Sequence, residues 1–188
     1  MCGRYNFTVE QSDEIREILE KLNTKFQGKE IRTGEVFPTN LVPILVEEKS
    51  EVTPILSTWG FPKFDSKGVI VNARAETASV KKTFRDSLIY RRCIIPSTGF
   101  YEWDRNKKKI LFRLPEANAL YMAGVYNQFA GELKYVILTT KGNHSMEGIH
   151  ERMPLIIRRD EIETWIKDDS ATSEMLKQVP PELIRMAV

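Results

Sequence analysis

The chain has 188 residues, 41% of them hydrophobic and 29% charged, which fits a soluble globular protein and excludes disordered, collagen-like and coiled-coil chains. Twenty-eight Lys and Arg stand against 26 Asp and Glu. That balance neither demonstrates nor excludes a nucleic-acid partner, because a local basic groove is what binds one. No apolar run approaches the roughly 20 residues that span a bilayer, and the first residues contain no apolar signal segment. Two cysteines, Cys2 and Cys93, make no disulfide framework, so a reducing cytoplasm is expected.

Thr8 opens the first predicted helix. T-V-E-Q resembles a capping box with Gln11 at the third position, and Ile15, Ile18, Leu19 and Leu22 follow at helical spacing to about Asn23. Pro38 and Pro43 punctuate a loop, and 44–47 and 55–58 read as strands. W-G-F-P at 59–62 breaks the pattern with a Gly and a Pro. A short apolar run, 69–71, ends at Asn72. Residues 81–90 are predicted helical, with Phe84 and Leu88 on one face. The second half is dense in predicted strands: 92–96, 99–103, 110–114, 120–126 and 134–140, with a hairpin connection at 104–109. Another strand is expected at 154–157, and helices at 160–167 and 173–177. The pattern predicts a single α+β domain over residues 1–188, with a mixed or antiparallel, partly closed sheet. Periodicity does not give the strand order.

Cys2 is the first unusual residue. Initiator Met is commonly removed before a small second residue, which leaves a cysteine with a free α-amine beside its thiol. The amine has a reference pKa of about 7.7–8, so an appreciable fraction is neutral near pH 7. A neutral amine adds to an aldehyde to give an imine. The thiol can then close onto the imine carbon as a five-membered thiazolidine. The alternative is a frayed terminus with a cysteine at position 2 by chance. Cys93, in R-C-I-I-P, reads as a buried strand residue.

The two histidines, His144 and His150, share one segment after a strand, T-T-K-G-N-H-S-M-E-G-I-H-E-R-M-P. A histidine there is a candidate proton carrier or a plain surface residue. Without paired cysteines or a matching carboxylate pattern no zinc site is expected. Glu102, in G-F-Y-E-W, alternates with Phe100 and Asp104 on one strand face, opposite Tyr101 and Trp103. It is either a partly desolvated proton shuttle or a glutamate on the wet face of an edge strand. N-A-R-A-E-T (72–77) supplies an amide, a guanidinium and a carboxylate, or else a helix cap. Arg4, Arg74, Arg85, Arg91, Arg92 and Arg152, interleaved with Trp59 and Trp103, suit a groove that neutralises phosphates and stacks bases. Each alone is a surface charge, and Arg105–Lys109 reads as a soluble hairpin tip.

Taken together, M-C-G-R at the start, W-G at 59–60, N-A-R-A-E-T at 72–77, R-R-C-I-I-P-S-T-G-F-Y-E-W at 91–103 and I-H-E-R-M-P at 149–154 resemble the SOS-response-associated peptidase (SRAP) domain family. The resemblance spans nearly the whole chain, with the motifs in order. It implies an α+β domain with a β-barrel-like core and a positive groove for single-stranded DNA. It also implies a covalent thiazolidine crosslink between Cys2 and abasic sites, which protects the lesion during replication. By motif, Cys2 is the nucleophile, Asn72 holds its amino end, Glu102 bonds the α-amine and moves protons, and His150 protonates the sugar ring oxygen. Arg4 and Arg74 match positions that hold the DNA backbone; Pro38, Trp59, Trp103 and Thr139 match groove and wedge contacts more weakly. No cofactor, metal or membrane partner is implied, and a monomer is expected, nucleoid-associated in a bacterium. A cysteine peptidase or amidase using Cys2 and His150 is the alternative. The chain ends in P-E-L-I-R-M-A-V, where the family pattern has a closing V-N-like strand.

Overall fold

The structure, a computed structural model, describes residues 2–25, 31–64 and 67–188. Strand β1 (Tyr5–Phe7) is followed by a 3-10 turn, Val9–Gln11, and helix α1 (Asp13–Lys25). The helix begins later than Thr8 because the Thr8 hydroxyl is taken by Asn6 Nδ2 at 2.6 Å. Ser12 provides the cap, its Oγ accepting from the Ile15 amide at 3.3 Å, and Asp13 and Glu14 place negative charge on the first turn. Strands β2 (Gly34–Val36), β3 (Leu41–Glu48), β4 (Glu51–Trp59), β5 (Phe61–Pro62), β6 (Val69–Ile70) and β7 (Asn72–Arg74) lead to helices α2 (Ala75–Ala78) and α3 (Lys82–Tyr90). Then come β8 (Arg92–Ser97), β9 (Gly99–Trp103), β10 (Lys109–Arg113), β11 (Leu120–Phe129), β12 (Glu132–Lys141), β13 (Arg152–Pro154) and β14 (Ile156–Ile157). Helices α4 (Ile162–Lys167) and α5 (Thr172–Met175) precede β15 (Ile184–Ala187).

Five of these strands close into a mixed barrel in the order β12-β4-β3-β8-β11, with β11 returning to β12. β12 runs parallel to β4 and antiparallel to β11. Ten residues make β12 long enough to change partners along both edges. Lys134 and Tyr135 pair with β4, and Ile137–Thr139 pair with β7, which carries Asn72 and Arg74. On the other edge β11 gives way to β13 at Thr139. The strand expected at 154–157 is split there. Leu155 donates to Leu138 O and accepts from the Ala123 amide, so β13 lies on β12 while β14 lies on β11. The α+β, barrel-like expectation holds.

A second sheet, β15-β10-β9-β1-β2, holds the N-terminal strand in its interior. Tyr5–Phe7 pair with Gly34–Val36 on one edge, and Tyr5 and Asn6 with Phe100 and Gly99 on the other. The C-terminal residues do form a strand, β15, which covers the β10 edge despite the departure in sequence. Tyr5, Trp59 and Tyr135 fill the space behind β1. The Tyr5 and Tyr135 hydroxyls are 2.8 Å apart, and the Trp59 and Tyr135 rings lie parallel with centroids 6.3 Å apart. A buried hydroxyl pair satisfies both groups without water.

Arg92 and Trp165 tie the helices to the barrel. Arg92 donates to the carbonyls of Leu88 and Ile89 at the end of α3, and of Trp165 and Ile166 in α4. One cation thus caps two helix C-termini. Trp165 Nε1 donates to Cys93 O at 2.9 Å, and Cys93 is fully buried, as expected. Among the described residues no helix is long and apolar enough to cross a membrane.

Gly124 sits where β11 is clasped between β8 and β12. A Cβ there would lie 2.4 Å from Ile95 Cδ1 and 2.7 Å from Val136 O. Backbone cannot yield as a side-chain tip can, so Gly124→Ala is expected to destabilise the fold by about 1–3 kcal/mol. Urea unfolding checks this, and an unchanged midpoint would show the barrel wall to be loose.

Candidate active site

Extending the β1–β9 register toward the N-terminus carries the second sheet on to Cys2. The Tyr101 amide donates to Arg4 O at 2.9 Å, so the pairing continues past Tyr5, and the next step places Gly3 opposite Glu102. Cys2 is fully buried. Its carbonyl accepts from Asn72 Nδ2 at 2.8 Å, a bond joining residues 70 positions apart. Its thiol donates to Arg4 O at 3.8 Å. Glu102 is 6% exposed and close enough for its charge to act on the thiol. Burial, reinforced by the Glu102 carboxylate, pushes the Cys2 thiol far above the ordinary thiol range. Asn72 Oδ1 is buried and, among the described residues, accepts no hydrogen bond.

His150 ends the loop after β12. Gly142 N donates to Glu151 O at 2.7 Å and closes the loop at its base. A Cβ on Gly142 would stand 3.0 Å from His150 O, so glycine lets the two arms approach. Asn143 Nδ2 donates to Pro180 O and Pro181 O, and Arg185 donates to the carbonyls of His144, Ser145 and Glu147. The C-terminal segment therefore braces this loop. His150 Nδ1 accepts from the Arg152 amide at 2.9 Å, which leaves the proton of the neutral ring on Nε2. His144 pairs with Glu147 at 3.0 Å on the loop surface.

An open groove of about 820 Å³ runs past His150. Arg74, Arg105, Lys141 and Arg152 line it together with Glu76, Glu147 and Glu151, so both signs of charge face the groove. Arg152 forks onto Glu76 at 2.6 and 2.8 Å, and that bond holds the Glu76 carboxyl below its usual range. Arg4 stands apart from these residues, with its guanidinium 4.2 Å from the Phe37 ring and 5.0 Å from the Trp103 ring.

Cys2, Asn72 and Glu102 thus come together, and His150 and Arg74 share the groove. Pro38 and Trp103 are partly exposed. Trp59 and Thr139 depart from the expected groove contacts, since both have no exposed surface. Trp59 is held inside by its ring partners and by Nε1 donating to Val71 O at 3.0 Å, while Thr139 packs under Ala73 O at 3.4 Å. Arg92, counted among the candidate phosphate ligands, is the buried helix cap described above. Lys109, read as part of the soluble hairpin tip, instead pairs with Glu35, which the sequence reading did not single out. Both face Arg4 only through strand pairing, which no local pattern announces.

The SOS response associated peptidase (SRAP) family model matches residues 1–187. The chain belongs to this family. It is 33% identical to the Abasic site processing protein YoqW of Bacillus subtilis (strain 168), over 95% of this chain and 86% of that protein. It is 23% identical to the Abasic site processing protein YedK of Escherichia coli (strain K12), over 93% of this chain and 83% of that protein. A crystal structure of a Bacteroides thetaiotaomicron protein shares the fold with a TM-score of 0.79 at 22% identity, covering 100% of this chain and 92% of that one.

Glu35 provides a stability test. Burial pushes its carboxyl up, but hydrogen bonds and charge from Lys109 and Arg4 outweigh this and hold it below the ordinary value. A folded pKa below the unfolded one stabilises the protein above about pH 4.3, and the contribution is lost as pH falls through the folded value. Glu35→Gln should therefore cost about 1 kcal/mol near neutral pH. Urea midpoints of the two proteins should converge in acid, and a constant gap would dissociate Glu35 from its cations.

Proposed function

We propose that this protein processes abasic sites in single-stranded DNA by covalent capture through Cys2, once Met1 has been removed. The observation that carries this reading is the setting of Cys2. A residue at the start of a chain is usually frayed, yet Cys2 is fully buried and its backbone is held by Asn72 beside Glu102. The abasic names of YoqW and YedK support the substrate class. The four cations along the groove and the partly exposed Trp103 suit a single strand bound through backbone charge and stacking.

The closed abasic sugar is a hemiacetal. His150 Nε2–H gives its proton to the ring oxygen as the C1′–O4′ bond breaks, and the proton released by the C1′ hydroxyl returns to Nε2 through water, so the ring ends neutral and C1′ is an aldehyde. The neutral Cys2 amine then adds to C1′, and Glu102 takes a proton from the nitrogen. Loss of one water leaves the imine. Sγ adds to the imine carbon, the thiol proton ends on nitrogen, and the ring closes as a thiazolidine. Asn72 fixes the Cys2 backbone through Nδ2, and its buried Oδ1 has accepting capacity to spare.

The raised thiol pKa supports this order of events. Burial keeps the Cys2 thiol protonated with Met1 in place, which favours the amine as the first nucleophile. A cysteine peptidase needs the thiolate at the outset, and the same burial argues against it. Glu102 has two opposing effects: as a carboxylate it favours the ammonium form, and as a base it removes the proton during attack.

Incubation of the Met1-processed protein with uracil-DNA-glycosylase-treated single-stranded DNA should give a shifted band on a denaturing gel. Cys2→Ala should abolish the band, as should any residue retained ahead of Cys2; a wild type without a band overturns the reading. Glu102→Gln should slow band formation by about 10²-fold and change its pH profile. An unaltered rate and profile would remove Glu102 from the chemistry.

A further inference from the structure

A charged cluster next to the N-terminal strand is not used by the capture chemistry. Glu35, on β2, receives Arg4 Nη1 at 3.1 Å on Oε1. Lys109 Nζ, at the start of β10, lies 2.8 Å from each oxygen of the same carboxylate. Two cations share one anion, so these three side chains keep a surplus positive charge. All three are partly exposed, with Arg4 at 32%, Glu35 at 26% and Lys109 at 25%.

Aromatic faces fix both cations in place. Arg4 lies against Phe37 and Trp103, and Lys109 Nζ is 4.0 Å from the centre of the Tyr101 ring. The ring faces attract the cations while leaving Arg4 Nη1 and Lys109 Nζ free to donate to the Glu35 carboxylate. The donors therefore remain aimed at whatever anion lies between them. A carboxylate that bridges two cations through two oxygens has the geometry of a phosphodiester doing the same. Arg4 is also two residues from Cys2, or roughly 7 Å of extended chain.

We propose that Arg4 and Lys109 form a subsite for a DNA phosphodiester beside the capture centre, and that Glu35 fills it as a built-in competitor which the phosphate displaces. This rests on the DNA-binding reading above and adds Lys109 and Glu35 to it. Glu35 keeps the two cations paired when no strand is bound. It lowers the attraction for nucleic acid in general, so a strand must offer further contacts in the groove to displace it.

The test uses the Met1-processed full chain and a fluorescently labelled single-stranded oligonucleotide without abasic sites, read by anisotropy across a salt series. Lys109→Gln should weaken binding by about threefold to tenfold and make the salt slope shallower by about 1. Glu35→Gln should tighten binding by about threefold to tenfold, although it lowers stability. Lys109→Gln with the affinity and slope of the wild type overturns the proposal, as does a folded Glu35→Gln that binds no tighter. Should Glu35→Gln fail to fold, the Lys109→Gln slope decides alone. A wild type that binds no oligonucleotide at all overturns the DNA reading itself, which separates the two failures.

Discussion

A strand of three residues cannot sustain its own shape, and the site depends on β1 being held along both edges. Tyr5–Phe7 hydrogen-bond to β2 on one side and β9 on the other. Tyr5 adds a hydroxyl bond to Tyr135 on the barrel strand β12. Ordering each residue costs about 1–2 kcal/mol of backbone entropy, and a chain end has few contacts to offset it. Here the offset comes from a position inside the sheet and from aromatic burial behind it. Once β1 is fixed, Gly3 and Cys2 have little freedom left, and Asn72 takes up the Cys2 carbonyl.

Much of this was legible in the sequence, and the gaps have physical causes. Strands 92–96, 99–103 and 110–114 fall within one or two residues of the observed β8, β9 and β10, because β-branched and aromatic runs bounded by turn residues carry their own signal. The first helix starts late because a side-chain bond between Asn6 and Thr8 competes with capping. The break at Leu155 escaped notice because a strand that changes partners keeps its composition. The grouping of Cys2, Asn72 and Glu102 came from resemblance to a family, not from spacing. They lie 70 and 30 positions apart, and only sheet closure joins them. Trp59 misled because tryptophan in a DNA-binding pattern suggests stacking, yet its indole N–H already has a backbone acceptor inside the core.

The cationic residues divide by environment rather than by type. Arg92 lies inside, where four carbonyls and the Asp169 carboxylate satisfy a charge that water would otherwise solvate. Arg152 lines the groove with its fork on Glu76, and its backbone amide meanwhile sets the tautomer of His150. Arg185 belongs to the C-terminal segment and acts on the His150 loop from behind. A single residue type thus supplies the core, the groove wall and the brace, and only partner geometry tells them apart.

The pairing of β1 with β9 also sets a timetable for synthesis. Tyr5 meets Phe100, so the N-terminal strand has no partner on that edge until 95 further residues have been made. At about 5–20 residues per second, that interval lasts on the order of 5–20 s, and further time passes before the chain clears the ribosome. Through this interval Cys2 lacks the burial that raises its thiol pKa, and the thiol stands in water with ordinary acidity. Completion of the barrel brings that exposure to a close. The nascent chain thus passes its longest exposure before the pocket around Cys2 exists.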